Sequence, residues 1–129
     1  MRNLILLALG IAIGVIGAVS ALNALQQRDA YPRGLMNVMQ YHYAALRTAV
    51  RTHRCGDGST HVATLQRLQR DIESAIYPNG SVDAPFAEYD RRLGDALENV
   101  AIAGTDCSAF DQAVERVTAA CDACHQQYR

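Results

Sequence analysis

The first thirty residues and the rest of the chain follow different patterns of apolar and polar positions. From Leu4 to Leu25 no charged residue occurs, with Arg2 before the run and Gln26-Gln27-Arg28-Asp29 after it. A helix of about 20 apolar residues spans a bilayer, whereas the apolar part of a signal peptide usually covers about 7–15. The run therefore reads as an uncleaved anchor. The alternative is a cleaved signal, for which Ala18-Val19-Ser20 and Val19-Ser20-Ala21 offer small residues. Gly10 and Gly14 have the spacing of packed transmembrane helices, with loose packing as the plainer reading. Residues 1–29 are thus expected to be a signal peptide or membrane anchor and residues 30–129 a folded domain. That domain lies across the membrane if the N-terminus stays inside.

Beyond residue 30, apolar positions recur at spacings of three and four, the period of a helix face, and strand-like alternation is absent. A first helix is predicted over about Tyr31–His53, with Leu35, Met39, His42, Leu46, Ala49 and His53 on one face and Pro32 in its first turn. Gly56-Asp57-Gly58-Ser59 ends it, and Ser59 or Thr60 is expected to cap the next helix. A second covers about His61–Ile76 on a stripe of Leu65, Leu68, Ile72 and Ile76, stopped by Pro78-Asn79-Gly80-Ser81. A third covers about Ala84–Ala103, with Pro85 in its first turn, Phe86, Tyr89, Leu93, Leu97 and Val100 inward, and Gly104 as its stop. A fourth covers about Ser108–Tyr128, with Phe110, Val114, Val117, Cys121, Cys124 and Tyr128 in strict alternation. Four amphipathic helices with short connections predict an all-α, antiparallel up-down four-helix bundle behind the N-terminal apolar helix.

Composition narrows the function classes. Half of the 129 residues are hydrophobic, Trp is absent, and the formal net charge is −1. The basic residues are scattered, so nothing marks a nucleic-acid partner. No pair of carboxylates, nucleophile or substrate cleft suggests an enzyme. Four cysteines remain to be explained. Cys55 and Cys107 stand alone in polar stretches that the bundle topology brings to one end. In an oxidising compartment they are expected to form a disulfide, with two free thiols as the alternative.

The other two lie in Cys121-Asp122-Ala123-Cys124-His125. Thiols three residues apart share one side of a helix and can each form a thioether to a haem vinyl group, while the following His reaches the iron. One covalent haem c is expected, with His125 as proximal ligand. Three other readings compete, one of them a chance match in a helix with two small core cysteines. Structural zinc needs four ligands, and the further candidates, Cys55, Cys107, His53 and His61, fall at the opposite end of the bundle. A thiol redox pair usually opens a helix after a strand, whereas this motif closes one.

The segment Cys121-Asp122-Ala123-Cys124-His125-Gln126-Gln127-Tyr128-Arg129 resembles the terminal haem segment of the cytochrome c′ family and its low-spin cytochrome c-556 relatives. The segment Tyr31-Pro32-Arg33-Gly34-Leu35-Met36-Asn37-Val38-Met39-Gln40-Tyr41-His42-Tyr43 is similar to the family's first helix. The resemblance places Met36 over the distal haem face, where the c-556 type has a coordinating Met and cytochrome c′ an apolar residue over five-coordinate iron. Core packing is the alternative for Met36, and Met39 is expected at the core or the haem edge. The family's early arginine falls at Pro32 here, which leaves the neighbouring Arg33 for a haem propionate. Arg129 is expected over His125 or at a propionate, with a solvated terminus as the alternative. Phe86 and Tyr89 are candidates to line the haem, with core packing the first reading at their helical spacing, His42 is expected to be a partly buried helix residue, and His53 and His61 to be solvated loop ends.

His/Met ligation closes both axial positions and suits one-electron transfer. The expected function is a periplasmic electron carrier that meets redox proteins of the periplasm or inner membrane. It would be tethered through residues 1–29 if these are uncleaved, and could pair as a homodimer, as the family often does. The alternative is a gas-binding protein that handles nitric oxide at an open distal iron, as cytochrome c′ does.

Overall fold

A single helix, α1, spans Arg2–Arg51 in the computed structural model, which describes residues 2–128, with the side chains of 2–5 and 24–29 left aside. The chain divides into two compact units, Met1–Arg33 and Gly34–Arg129, a few residues beyond the boundary expected after residue 29.

In the first unit, Leu6–Asn23 is long and apolar enough to cross a membrane, and none of it is buried. Leu6, Leu9, Ile13 and Ile16 all stand more than half exposed. At about 1.5 Å per residue, 18 helical residues measure about 27 Å, close to the hydrocarbon thickness of a bilayer. Pro32 does not sit in a first turn as expected, because the helix runs through it. An interior Pro removes one backbone hydrogen bond and costs about 3 kcal/mol. The Leu- and Ala-rich sequence before it and the buried face after it favour helix on both sides.

In the second unit, residues 34–51 of α1 bury Leu35, Met39, Leu46 and Ala49. His53, with φ 53°, turns the chain. A 3-10 turn, Cys55–Gly58, leads directly into α2, Ser59–Gln69. Neither Ser59 nor Thr60 caps α2. Gly58 holds the N-cap position in a helical backbone conformation with no side-chain cap. A capping side chain needs an extended backbone at that residue, and the 3-10 turn removes it. Gly58 also sits under the Phe110 ring, where a Cβ would come within 2.5 Å of Cζ.

The second helix is not continuous to Ile76. It breaks at Arg70–Asp71 and resumes as α3, Ile72–Ile76. The turn is closed by Asp71 N–H donating to the Leu68 carbonyl at 3.0 Å. Ile72 and Ala75 stay in the core, so the short piece keeps its apolar face inward. The long helices α4, Ala84–Ala103, and α5, Cys107–Gln127, follow. Asp83 caps α4 by accepting from Phe86 N–H at 2.7 Å, and Asp106 caps α5 by accepting from Ser108 N–H at 3.0 Å. Gly104 stops α4 at φ 57°, a conformation that L side chains rarely adopt.

The up-down four-helix bundle is the architecture expected. Its interior is closed by Leu46, Phe86, Leu97, Val100, Phe110 and Val114. Across the bundle, the Tyr43 hydroxyl and Thr118 Oγ1 meet at 2.6 Å, tying α1 to α5. Cys55 and Cys107 are joined by a disulfide with Cα atoms 5.4 Å apart. They lie at the starts of the 3-10 turn and of α5, rather than in open loops.

Candidate haem attachment site

The last two turns of α5 carry the Cys-x-x-Cys-His run at the end of the bundle opposite the disulfide. Phe110, Val114 and Val117 anchor the buried stripe of that helix. Cys121 and Cys124 continue the stripe as half-buried free thiols. Burial, followed by the nearby Asp122 and Cys124, pushes the Cys121 thiol up to about 11. Burial, followed by the Asp90 carboxylate, raises Cys124. A reactive redox pair needs the opposite shift, toward thiolate. The zinc reading also loses its partners, since Cys55 and Cys107 are bonded to each other. Among the described residues no group of three or more His, Cys, Asp or Glu side chains is placed to hold a metal.

His125 is exposed and opens, with Asp122, Gln126 and Tyr128, on a pocket of about 470 Å³. An aromatic group stands beside it. Tyr128 meets Phe86 edge-on at 5.2 Å and Tyr89 at 6.0 Å, and Phe86 meets Tyr77 at 5.0 Å. Asp83 binds this group together. It accepts from the Tyr77 hydroxyl at 2.7 Å and from the Tyr128 hydroxyl at 2.7 Å, while also capping α4. Those bonds, led by the one from Tyr128, lower the Asp83 carboxyl. The bond to Asp83 pushes Tyr128 up to about 12. One carboxylate thus joins the loop after α3, the start of α4 and the residue that ends α5.

Deeper in, Asp90 Oδ2 accepts from Gln69 Nε2 at 2.9 Å, while Oδ1 is buried with no partner. Burial raises this carboxyl, and it acts electrostatically on Cys124. An orphaned polar atom within electrostatic reach of Cys124 marks a stretch of interior whose polar groups the chain alone does not satisfy.

Two side-by-side thiols, an exposed imidazole next in sequence, an open pocket and an aromatic rim are the chemical complement of a covalently held, apolar, planar ring with a central metal. Cys121 and Cys124 fit its vinyl groups and His125 its iron. Met36 is half-buried against the core one turn before the buried Met39. Phe86 is fully buried behind Tyr128, and Tyr89 is half-buried with Arg92 stacked at 5.9 Å. Arg33 belongs to the N-terminal unit, and Arg129 lies outside the described residues.

The sequence reading missed the role of Asp83, although an Asp two residues before Pro85 is a usual helix-start signal. It also missed Asp90 and Gln69, which carry no local signal. His61 is not a solvated loop end: it sits in the first turn of α2 and bonds to His42 across to α1.

No family model and no curated protein matches the sequence. Among solved structures, the cytochrome c′ of Rubrivivax gelatinosus aligns over 78% of this chain and 92% of its own, with a TM-score of 0.66 and 15% identity. The chain has the cytochrome c′ fold. Against a cytochrome c′ fold, the site stands at the C-terminal end of the last helix, and the N-terminal apolar helix precedes the bundle.

Proposed function

We propose that the chain is a mono-haem c-type cytochrome of the cytochrome c′ family, closest to the low-spin c-556 type, that carries single electrons in the periplasm. The observation that carries this reading is the Cys121, Cys124 and His125 set on the last turns of α5 in a cytochrome c′ fold, with half-buried thiols and an imidazole opening on a pocket. When bound, haem c supplies a one-electron iron couple whose behaviour follows its axial ligands. Cys121 and Cys124 would hold the ring through thioethers, and His125 and the Met36 thioether would be its iron ligands, leaving no place for an outside ligand. Phe86, Tyr89 and Tyr128 keep water from the apolar ring. The Tyr77–Asp83–Tyr128 bonds fix the end of α5, and so the direction of His125.

The apolar segment within residues 1–29 directs the bundle out of the cytoplasm and, where retained, tethers it to the inner membrane near its redox partners. A homodimer is compatible with this role. A second reading rests on the structural neighbour being a cytochrome c′: Met36 packs without binding iron, and the open distal face takes nitric oxide. The absorption spectrum of the purified protein decides between them. Low-spin bands unaffected by nitric oxide support the carrier. A high-spin spectrum that shifts with nitric oxide supports the second reading. Acid-acetone extraction that strips all colour from the polypeptide overturns both.

A further inference from the structure

Away from the proposed haem site, α1 and α2 meet through a pair of imidazoles. His42 Nδ1 and His61 Nδ1 lie 2.8 Å apart, their ring centroids 5.1 Å apart and their planes tilted by 51°. Both rings are half-buried. Tyr41 packs edge-on against each, at 5.2 Å from His42 and 6.4 Å from His61. A neutral imidazole carries one N–H and one lone pair, so one ring donates through Nδ1–H and the other accepts. The proposed haem site uses neither of them.

We propose that His42 and His61 form a two-imidazole site for a Cu²⁺ ion. Metal–imidazole bonds are about 2.0–2.1 Å long. Two nitrogens 2.8 Å apart, each at that distance from one ion, subtend an angle of about 90°. That is the angle between neighbouring positions of the square-planar or tetragonal shell that Cu²⁺ prefers.

The number of donors points the same way. Among the described residues no third His, Cys, Asp or Glu joins the pair as a metal-holding group. Solvent must fill the remaining positions, and affinity rests on the strength of each nitrogen bond. Cu²⁺ stands highest in the divalent first-row order for such ligands. Loading asks little of the chain. The donor ring moves its proton from Nδ1 to Nε2, which frees the second lone pair with no net proton released from the neutral pair. Each ring then turns its lone pair from its neighbour to the ion. Both backbones are helical, so loading moves side chains alone.

The test is calorimetric titration of the full-length, haem-loaded, chelator-treated protein with Cu²⁺ and with Zn²⁺, together with electron paramagnetic resonance of the copper signal. We expect one Cu²⁺ per chain, bound more tightly than Zn²⁺, with hyperfine structure from two nitrogens. Losing even a group that only orients a ligand typically costs 10–100-fold in metal affinity, and here one of two ligands is removed, so His42→Gln and His61→Gln should each weaken binding by at least about tenfold. His53→Gln should leave it unchanged. Circular dichroism at wild-type helicity shows that the variants are folded. Copper affinity in folded His42→Gln or His61→Gln equal to the wild type overturns the site, as does tighter binding of Zn²⁺ than of Cu²⁺. A missing haem band would count against the electron-carrier reading alone, because the copper titration is read separately.

Discussion

Replacing Cys55 and Cys107 together by Ala should cost the bundle about 4 kcal/mol. The bridge closes a loop with a sequence separation of 52. In the chain-entropy model a cross-link removes about 2.1 + 1.5R ln n cal/mol/K from the unfolded state, which for such a loop is about 14 cal/mol/K, or about 4 kcal/mol at 25 °C. The native side adds to the loss, since Cys55 is 2% exposed and its sulfur fills core space that Ala leaves empty. For a domain of 60–100 residues each kcal/mol shifts Tm by about 4–8 °C, which predicts a drop of roughly 15–30 °C. The assay is guanidinium unfolding of haem-loaded wild type and double variant, followed by helicity, with the haem spectrum confirming equal loading. Wild type treated with a reductant that leaves thioethers intact should fall with the variant. A double variant within about 1 kcal/mol of the wild type, at an unchanged denaturant slope, would refute the argument.

Other outcomes follow from single positions. On the proposed carrier reading, Met36→Leu should convert a low-spin haem to a high-spin one that binds gases, whereas Met39→Leu, altering a buried core residue, should leave the spin state alone; absorption spectra with and without nitric oxide read both. Gly58→Ala should destabilise by about 1–3 kcal/mol, the usual cost of forcing a methyl group into packed space, because its Cβ would meet the Phe110 ring; thermal unfolding measures it. Asp83 has a lowered carboxyl, held so by Tyr128, Tyr77 and Phe86 N–H, so its contribution is fully present above the ordinary carboxylate value of 3.8 and is lost as pH falls through the depressed native value. Asp83→Asn should therefore weaken the wild type's loss of stability below about pH 4, compared by acid titration of helicity.

Much of the bundle was legible because its core obeys one period. Leu46, Leu97, Phe110 and Val114 each fall on a three-four stripe, and each is buried. The Cys-x-x-Cys-His run stood out because three residues in a five-residue window carry their chemistry with them. What escaped the sequence depends on competition between neighbours. Pro32 signals a helix start locally, yet the helices on both sides outweigh one lost hydrogen bond. Arg70–Asp71 interrupts a stripe whose apolar positions continue, so periodicity alone cannot see the break. Ser59 looks like a cap until Gly58 adopts a helical conformation beneath Phe110. The His42–His61 contact joins residues from two helices, and Asp83 gathers Tyr77 and Tyr128 from two segments. No local pattern records such pairings.

The placing of the four cysteines has a consequence for how the protein matures. Cys107 opens α5 and Cys121 lies fourteen residues further along the same helix, about 21 Å away at 1.5 Å per residue. A disulfide needs Cα atoms within about 7 Å, and Cys55 and Cys107 stand 5.4 Å apart. Once α5 is helical it acts as a ruler that denies Cys121 and Cys124 to either bridging partner. Oxidation of the folded chain then seals one end without drawing the two thiols at the other into that bridge. Bridges between the two ends are a hazard only of the chain before α5 forms, so the order of events, helix first and oxidant second, decides how much of the protein joins Cys55 to Cys107.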